Sequence, residues 1–262
     1  MADGRKEGPD GRFSTGRITA LCSRTDGFRA ADGRTGSDGL VILRDAPGFD
    51  FGMDFYNPDG SGGMMCGNGG RCIVAFASFL GITPSDGKTY RFLAPDGPHT
   101  GIILSSDADR MIVRISMRDA RGAREVLGGW FIDTGTRHFV RFVDDVEAVD
   151  VEAEGPVYRH AAEFAPAGAN VNFVSPDGTD GSIKVRTFEK GVEAETLACG
   201  TGMVASAIVS YLRGSDAVED GAYVRTRIQA RAARLEVDFT ASSDPDSPAR
   251  DIFLTGPADL IR

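Results

Sequence analysis

The 262-residue sequence predicts an α+β fold of two similar halves, each made of β-strands around one central α-helix. Two observations lead to this prediction. Most segments with a regular pattern alternate apolar residues with polar or small ones, as half-buried strands do. The two long helical stretches each begin directly after a cysteine in the pattern C-G-x-G, and they lie in opposite halves of the chain.

Four segments show the clearest alternation typical of strands. They are FGMDFY (51–56), MIVRISM (111–117), IKVRTFE (183–189) and ARLEVDFT (233–240). Turn-forming sequences such as SPDGTDG and APDGPH separate runs of this kind. The opening up to about residue 17 is rich in glycine and charge and has no periodic pattern, so we expect it to add little to the core.

The two helical stretches resemble each other. Cys66 heads CGNGGRCIVAFASFLG, and Cys199 heads CGTGMVASAIVSYLRG. Gly81 and Gly214 follow the two cysteines at the same distance, and each suits the left-handed conformation that ends a helix. We interpret the matched pair as an internal duplication.

A thiol at the start of a helix is suited to proton transfer. The unpaired backbone N–H groups and the positive end of the helix dipole favour negative charge there. Such sites lower the pKa of cysteine from about 8.5 into a range of roughly 3.5 to 7.5. The adjacent glycines also let a ligand carboxylate approach the backbone N–H groups of Gly67, Asn68, Gly69, Gly200, Thr201 and Gly202.

We therefore predict that Cys66 and Cys199 act on one substrate carbon from opposite faces. A duplicated chain would bring the two helix ends face to face across a cleft between the halves, where ligands commonly bind. One cysteine would remove a proton as thiolate and the other would donate a proton as thiol, which inverts a stereocentre. This reaction requires neither a metal nor a cofactor.

Polar residues ahead of each cysteine fit an amino-acid ligand. Asn57 precedes Cys66, while Glu189 and Lys190 precede Cys199. An amide both donates and accepts hydrogen bonds, and lysine supplies a positive charge. His138 follows a glycine turn and opens an apolar strand, where the sequence is equally compatible with a structural and a catalytic role.

Charge and hydropathy favour a small-molecule ligand. A net charge of -9 and a pI near 4.9 argue against a nucleic acid or an anionic membrane as partner. No apolar run reaches the length of a membrane span and the start lacks the apolar core of a signal peptide, so we expect a cytoplasmic protein. Without a C-x-x-C pair, the cysteines are expected to be thiols, with Cys22 and Cys72 in the core.

The chain resembles the diaminopimelate epimerase family, whose cofactor-independent enzymes interconvert LL- and meso-diaminopimelate in bacterial lysine and cell-wall synthesis. The shared sequences are NPDGSGGMMCGNGGRC, GTRHFVRFVDD, ANVNFV, FEKGVEAETLACGTG and LTGPA, in the family's order over nearly the whole chain. The resemblance implies two domains, each a β-roll around a central helix, with Cys66 and Cys199 as the catalytic acid/bases. We divide the chain into 1–118 and 119–255, with 256–262 returning to the first domain.

The resemblance also implies the residues that bind substrate. Carried over position by position, they are Asn57, Gly67, Asn68, Asn170, Glu189, Lys190, Gly200 and Thr201. His138 matches a histidine that lies beside the first cysteine in the family.

Three departures from the family pattern affect this expectation. The family begins with a strand carrying an H-G-x-G-N-D-F-like motif, and no such segment precedes GRFSTGRITALC, so we expect an unpaired sheet edge and either a start upstream of Met1 or weakened binding. The family's G-x-G-A-D-G turn is replaced by the longer GFRAADGRTGSDG. Lys190 stands in place of an arginine, which keeps the charge but loses the bidentate fork, and GTRH stands in place of G-N-P-H.

The sequence leaves three other functions open. The first is a racemase or epimerase of another amino or imino acid on the same fold, although CGNG rather than a CGHG-like block favours diaminopimelate. The second is a binding protein without turnover, favoured by the missing first strand. The third is a thiol redox protein, which the lack of a C-x-x-C pair disfavours. The oligomeric state also stays open, and a homodimer is compatible with the sequence.

Overall fold

The computed structural model describes residues 1–5, 13–31, 33–63, 65–215 and 217–261. Contacts between Cα atoms divide the chain into two compact units. The first unit contains Met1–Ile115 and Pro257–Arg262, and the second contains Ser116–Gly256.

The first unit is a mixed sheet with one long helix packed on it. Its strands are β1 (Ala2–Asp3), β2 (Leu40–Arg44), β3 (Phe51–Tyr56), β4 (Tyr90–Ala94), β5 (Gly97–Ser106) and β6 (Arg110–Ser116). Its helices are α1 (Thr15–Cys22) and α2 (Gly67–Phe79). Neighbours in the sheet follow chain order; β1–β2 and β3–β4 pair parallel, and the other neighbours pair antiparallel.

Helix α2 lies against β2, β3 and β5 because one of its faces is apolar. Ile73, Val74 and Ala77 on this face are fully buried. A Cβ added to Gly101 of β5 would lie 2.5 Å from a methyl carbon of Val74, so the helix rests directly on the strand. This packing fixes the position of the helix start, which carries the first cysteine.

The start of the chain differs from one expectation and confirms another. An unpaired edge beside β2 was expected, but β1 pairs with it in parallel and the Gly4 N–H donates to the Leu43 carbonyl at 2.7 Å. Helix α1 begins at Thr15, at the end of the opening, and buries Ile18 and Cys22 beyond it, so the prediction that Cys22 lies in the core is confirmed. The part of the opening at residues 6–12 lies outside the described residues.

The second unit has a longer sheet around a more deeply buried helix. Its strands are β7 (Arg121–Val126), β8 (Gly129–Asp133), β9 (Arg137–Phe142), β10 (Asn170–Pro176), β11 (Ile183–Glu189), β12 (Ala194–Thr196), β13 (Tyr223–Gln229), β14 (Arg234–Ala241) and β15 (Ala249–Asp259). Its helices are α3 (Val151–Arg159) and α4 (Gly200–Gly214), with 3₁₀ turns at Val146–Ala148 and Ala162–Phe164. The sheet order is β7-β8-β9-β10-β11-β13-β14-β15, with β12 paired to β11. Helix α4 packs against β8 to β11, β13 and β14.

The pairing pattern of the first unit recurs in the second. In the first unit, an antiparallel pair β2–β3 leads into α2, the next strand β4 pairs parallel with β3, and β5 and β6 add antiparallel. In the second unit, β10–β11, α4, β13, β14 and β15 repeat the same sequence of pairings. The repeat of strand order and direction supports the internal duplication.

The four predicted strands are present as β3, β6, β11 and β14, with boundaries within one residue. Helix α2 ends as expected before Gly81, whose φ of 76° is left-handed. The predicted end at Gly214 is wrong, because α4 runs through this glycine and Ser215 follows it as the C-cap, with its hydroxyl donating to the Tyr211 carbonyl at 2.8 Å. Over the described part of the chain, none of the helices combines the length and apolar character needed to cross a membrane.

Candidate active site

Cys66 is the N-cap residue of α2 and has an extended backbone. Its Sγ accepts a hydrogen bond from the Gly69 N–H at 3.4 Å, in the way that a capping oxygen would. Its carbonyl accepts the first helical hydrogen bond, from the Gly70 N–H at 2.7 Å. The thiol is half-buried, and the start of the helix directs a backbone N–H group at the sulfur, which favours the thiolate.

A buried cation lies on the same helix. Arg71 is only 5% exposed, and its guanidinium donates to Asn68 Oδ1 at 2.8 Å and to the Pro257 carbonyl at 3.4 Å. Burial lowers the pKa of Arg71, whereas the nearby Cys72 and Cys66 thiols act to raise it. Arg71 therefore fixes the side chain of Asn68, a predicted substrate contact, and its positive charge favours a thiolate at Cys66.

Asn57 lies in the tight turn that follows β3. Its backbone N–H donates to the Ser61 carbonyl at 2.7 Å, and its side-chain amide donates to the Ser61 hydroxyl at 3.0 Å. Gly60 closes the turn with a left-handed φ of 83°. The side chain of Asn57 is half-buried, so the structure places this predicted contact in a defined turn between β3 and α2.

Cys199 is the N-cap residue of α4 and also has an extended backbone. It is 7% exposed, and its carbonyl accepts a hydrogen bond from the Met203 N–H at 2.9 Å. Its Sγ lies 3.5 Å from the hydroxyl oxygen of Thr201. The two predicted catalytic cysteines thus occupy the same helical position, although different groups contact their sulfur atoms.

Hydrogen bonds link the Cys199 sulfur to a buried histidine. The Thr136 hydroxyl donates to the Thr201 hydroxyl at 3.0 Å and lies 2.8 Å from His138 Nε2. His138 Nδ1 lies 3.1 Å from the amide nitrogen of Asn172. His138 is completely buried, and this burial lowers its pKa to about 3, so the ring is neutral at physiological pH.

The hairpin between β8 and β9 holds these threonines against α4. The Thr134 hydroxyl donates to the Thr201 carbonyl at 3.1 Å, and the Thr134 N–H donates to the Thr136 carbonyl at 3.0 Å. Gly135 lies between them with a left-handed φ of 95°, which a side chain would strain. Both threonines of the turn therefore bind the same residue in the first turn of the helix.

Asn172 lies at the end of this series of hydrogen bonds that is farthest from Cys199, and the sequence did not predict its role. It is fully buried; its amide nitrogen donates to the Phe139 carbonyl at 3.1 Å, and its Oδ1 accepts from the Thr187 hydroxyl at 2.9 Å. The available signal was ANVNFV, in which alternation places Asn170 and Asn172 on the same face of β10. Thr136 was missed as well, because a threonine in a turn carries no functional signal by itself.

The remaining predicted contacts of the second unit lie at the end of β11 and beside it. Asn170 is buried; its amide nitrogen donates to the Arg137 carbonyl at 3.1 Å, and its Oδ1 accepts from the Lys190 N–H at 2.9 Å. Glu189 accepts a hydrogen bond from the Thr196 hydroxyl at 2.9 Å, and the side chain of Lys190 is exposed. Asn170 therefore ties the end of β11 to β9.

Within each unit, the structure brings several predicted residues to the start of the long helix. Cys66, Gly67 and Asn68 lie together at α2, and Cys199, Gly200 and Thr201 lie together at α4. All four cysteines carry thiols rather than disulfide bonds. Among the described residues, no group of three or more His, Cys, Asp or Glu side chains is arranged to hold a metal ion.

Comparisons with known proteins agree with this architecture. A solved probable proline racemase from Agrobacterium radiobacter K84 superposes with a TM-score of 0.62 at 16% identity, covering 94% of this chain and 79% of that chain. The predicted fold is therefore confirmed, and it is the fold of this probable proline racemase and of a solved hydroxyproline epimerase from Agrobacterium vitis.

Similarity in sequence narrows the class to one family. The family model for diaminopimelate epimerase matches residues 130–250. The diaminopimelate epimerase of Chlorobaculum tepidum is 38% identical over 250 residues, which cover 94% of this chain and 88% of that protein. The diaminopimelate epimerase of Aquifex aeolicus is 41% identical over 229 residues, which cover 84% of this chain and 77% of that protein. The chain belongs to the diaminopimelate epimerase family.

Proposed function

We propose that this protein is an isomerase that interconverts LL- and meso-diaminopimelate, a step in the synthesis of lysine and of peptidoglycan precursors. The observation that carries the proposal is membership of the family together with a C-G-x-G cysteine at the N-cap of the long helix in each unit. The expected location is the cytoplasm, where thiols persist in the reduced form that the reaction needs.

The proposed reaction is a proton exchange at the α-carbon of the substrate. One cysteine, as thiolate, removes the α-proton, and the other, as thiol, delivers a proton to the opposite face. One proton leaves and one enters, so no electron acceptor or cofactor takes part in the balance. The helix start at each cysteine favours the charged form that the base requires.

The backbone at each helix start supports binding of the substrate's anionic groups. The positive end of the helix dipole at each start favours an anion, and the glycines among the first residues leave room for a carboxylate. Asn57, Asn68 and Glu189 supply further polar groups for the amino-acid moieties. Because Lys190 is exposed and carries a point charge rather than a fork, it is expected to support weaker binding than an arginine would.

Deuterium exchange tests the proposal directly. In D₂O and without added cofactor, the protein should incorporate deuterium at one α-carbon of diaminopimelate, detected by mass spectrometry or NMR. Cys66→Ala and Cys199→Ala should each abolish epimerisation, because each thiol serves one face of the carbon. Cys72→Ala is the matched control, since this half-buried cysteine lies inside α2 rather than at its start.

The competing functions give different outcomes. Exchange at proline or hydroxyproline, but not at diaminopimelate, would replace the proposed substrate with an imino acid. Saturable binding of diaminopimelate without exchange would indicate a binding protein. Near-normal turnover in either Cys66→Ala or Cys199→Ala would rule out the two-base mechanism.

A further inference from the structure

A series of hydrogen bonds connects Cys199 to Asn172 by way of Thr201, Thr136 and His138. The direction of each bond in this series can be assigned. The amide nitrogen of Asn172 donates to the Phe139 carbonyl, and its Oδ1 accepts from the Thr187 hydroxyl, so the side-chain amide cannot be flipped. An amide nitrogen is only a donor, which makes His138 Nδ1 the acceptor.

The tautomer of His138 follows from this assignment. A charged ring would direct a second N–H group from Nδ1 at the Asn172 amide, and full burial opposes the charge as well. The ring is therefore neutral with its proton on Nε2, which donates to the Thr136 hydroxyl at 2.8 Å. Thr136 in turn donates to the Thr201 hydroxyl oxygen at 3.0 Å, and Thr201 can donate its single hydroxyl proton to the Cys199 sulfur at 3.5 Å.

We propose that His138 is a positioning residue for Cys199, acting through the hydroxyl groups of Thr136 and Thr201, whose hydrogen bonds all run toward the sulfur. Donors aligned in this way polarise one another and favour a negative charge at the receiving end. This role rests on the proposed epimerase function, because positioning Cys199 matters for catalysis only if Cys199 transfers the proton. It assigns to Thr136 and Asn172 a task that the sequence alone did not reveal.

Thr136 is the best residue for testing this proposal. It is half-buried, so Thr136→Val, which keeps the shape and removes the hydroxyl, should fold. Thr136→Ser restores the hydroxyl. Thr134→Val is the matched control, because Thr134 binds the backbone carbonyl of Thr201 from the same hairpin but does not connect to the sulfur.

The measurement is the pH dependence of Cys199 alkylation by iodoacetamide in the full chain, followed by mass spectrometry of the peptide that contains Cys199. This readout does not depend on turnover. We expect the midpoint to rise by about one pH unit in Thr136→Val, because weakening stabilisation of the charged form by about 1.4 kcal/mol shifts a titration by this amount. Thr136→Ser and Thr134→Val should keep the midpoint of the unchanged protein.

Turnover supplies a second readout once the unchanged protein is shown to exchange deuterium. The acid limb of kcat/KM should shift in the same direction and only in Thr136→Val. Equal alkylation midpoints in Thr136→Val and the unchanged protein, or an equal shift in Thr134→Val, would overturn the proposal. Failure of the epimerase function would appear separately, as absence of exchange by the unchanged protein.

Discussion

Replacing Gly202 by alanine should destabilise the second unit even though alanine favours helices. An ideal Cβ at Gly202 would lie 2.3 Å from Asn172 Oδ1 and 3.3 Å from the Cβ of Cys199. The oxygen would have to move by about 1 Å to reach an ordinary contact distance. Asn172 cannot move freely, because it is fully buried and held by hydrogen bonds to His138, Phe139 and Thr187.

The magnitude follows from these contacts. Overpacking costs about 1 to 3 kcal/mol, and breaking one buried hydrogen bond costs about 1 to 3 kcal/mol more. Alanine offsets up to about 1 kcal/mol of this loss through its helix propensity. With the full offset, we expect Gly202→Ala to lower the free energy of unfolding by about 1 to 5 kcal/mol.

The duplication supplies a matched control at the same helical position of α2. A Cβ at Gly69 would lie 3.0 Å from the terminal methyl group of Met53, a flexible group that can shift. Gly69→Ala should therefore remain within about 1 kcal/mol of the unchanged protein, because helix propensity offsets the small steric cost.

Urea unfolding measures both variants. Circular dichroism follows the whole chain, and fluorescence of Trp130, the only tryptophan of the sequence, reports on the second unit, which contains Gly202. A Gly202→Ala variant as stable as Gly69→Ala would show that Asn172 does not approach the helix as closely as described. The destabilisation of Gly202→Ala should also appear in the fluorescence of Trp130.

Two further predictions concern charged and titrating groups. Burial lowers the pKa of His138 from 6.5 to about 3. At pH values between these two, the unfolded chain binds a proton at His138 that the folded protein does not bind, so the free energy of unfolding decreases as the pH falls. Between pH 7 and pH 5 this effect lowers the free energy of unfolding by about 2 kcal/mol. Urea unfolding of His138→Gln at the two pH values should therefore show a loss of stability that is smaller by about this amount. An equal loss in His138→Gln and the unchanged protein would contradict a buried, neutral His138. Arg71→Met should shift alkylation of Cys66 to higher pH because a nearby positive charge is removed, whereas Arg71→Lys should shift it less; equal midpoints in all three proteins would exclude a role for this charge.

Much of the fold could be predicted because it depends on local patterns. Alternation of apolar and polar residues located four strands, and the C-G-x-G cysteines located both long helices and their repeat. These patterns arise from the burial of one strand face and from the chemistry of a helix start, which nearby residues determine. The same reasoning placed both cysteines at N-cap positions.

Features that depend on contacts between distant segments could not be predicted. The two residues of β1 form a strand only because β2 offers an edge to pair with. The sequence of α3 contains Gly155 and Pro156, which disfavour a helix interior, yet Asp150 caps this helix by accepting from the Ala153 N–H. A Cβ at Gly155 would lie 2.5 Å from Phe188, so the glycine serves a close approach between α3 and β11 that no local pattern indicates.

The duplication explains why each sulfur atom lies at the start of a helix, but it does not explain which groups stabilise each thiolate. At Cys66, a backbone N–H and the nearby guanidinium of Arg71 favour the thiolate, and a full positive charge acts at a distance without requiring a particular hydrogen-bond geometry. At Cys199, neutral donors in a fixed order provide the support, and each link must be in place for the next to be aligned. Loss of one hydroxyl therefore interrupts the support at Cys199, whereas at Cys66 a lysine that keeps the charge retains part of the effect. The same helix start has thus acquired two different electrostatic environments from the residues that surround it.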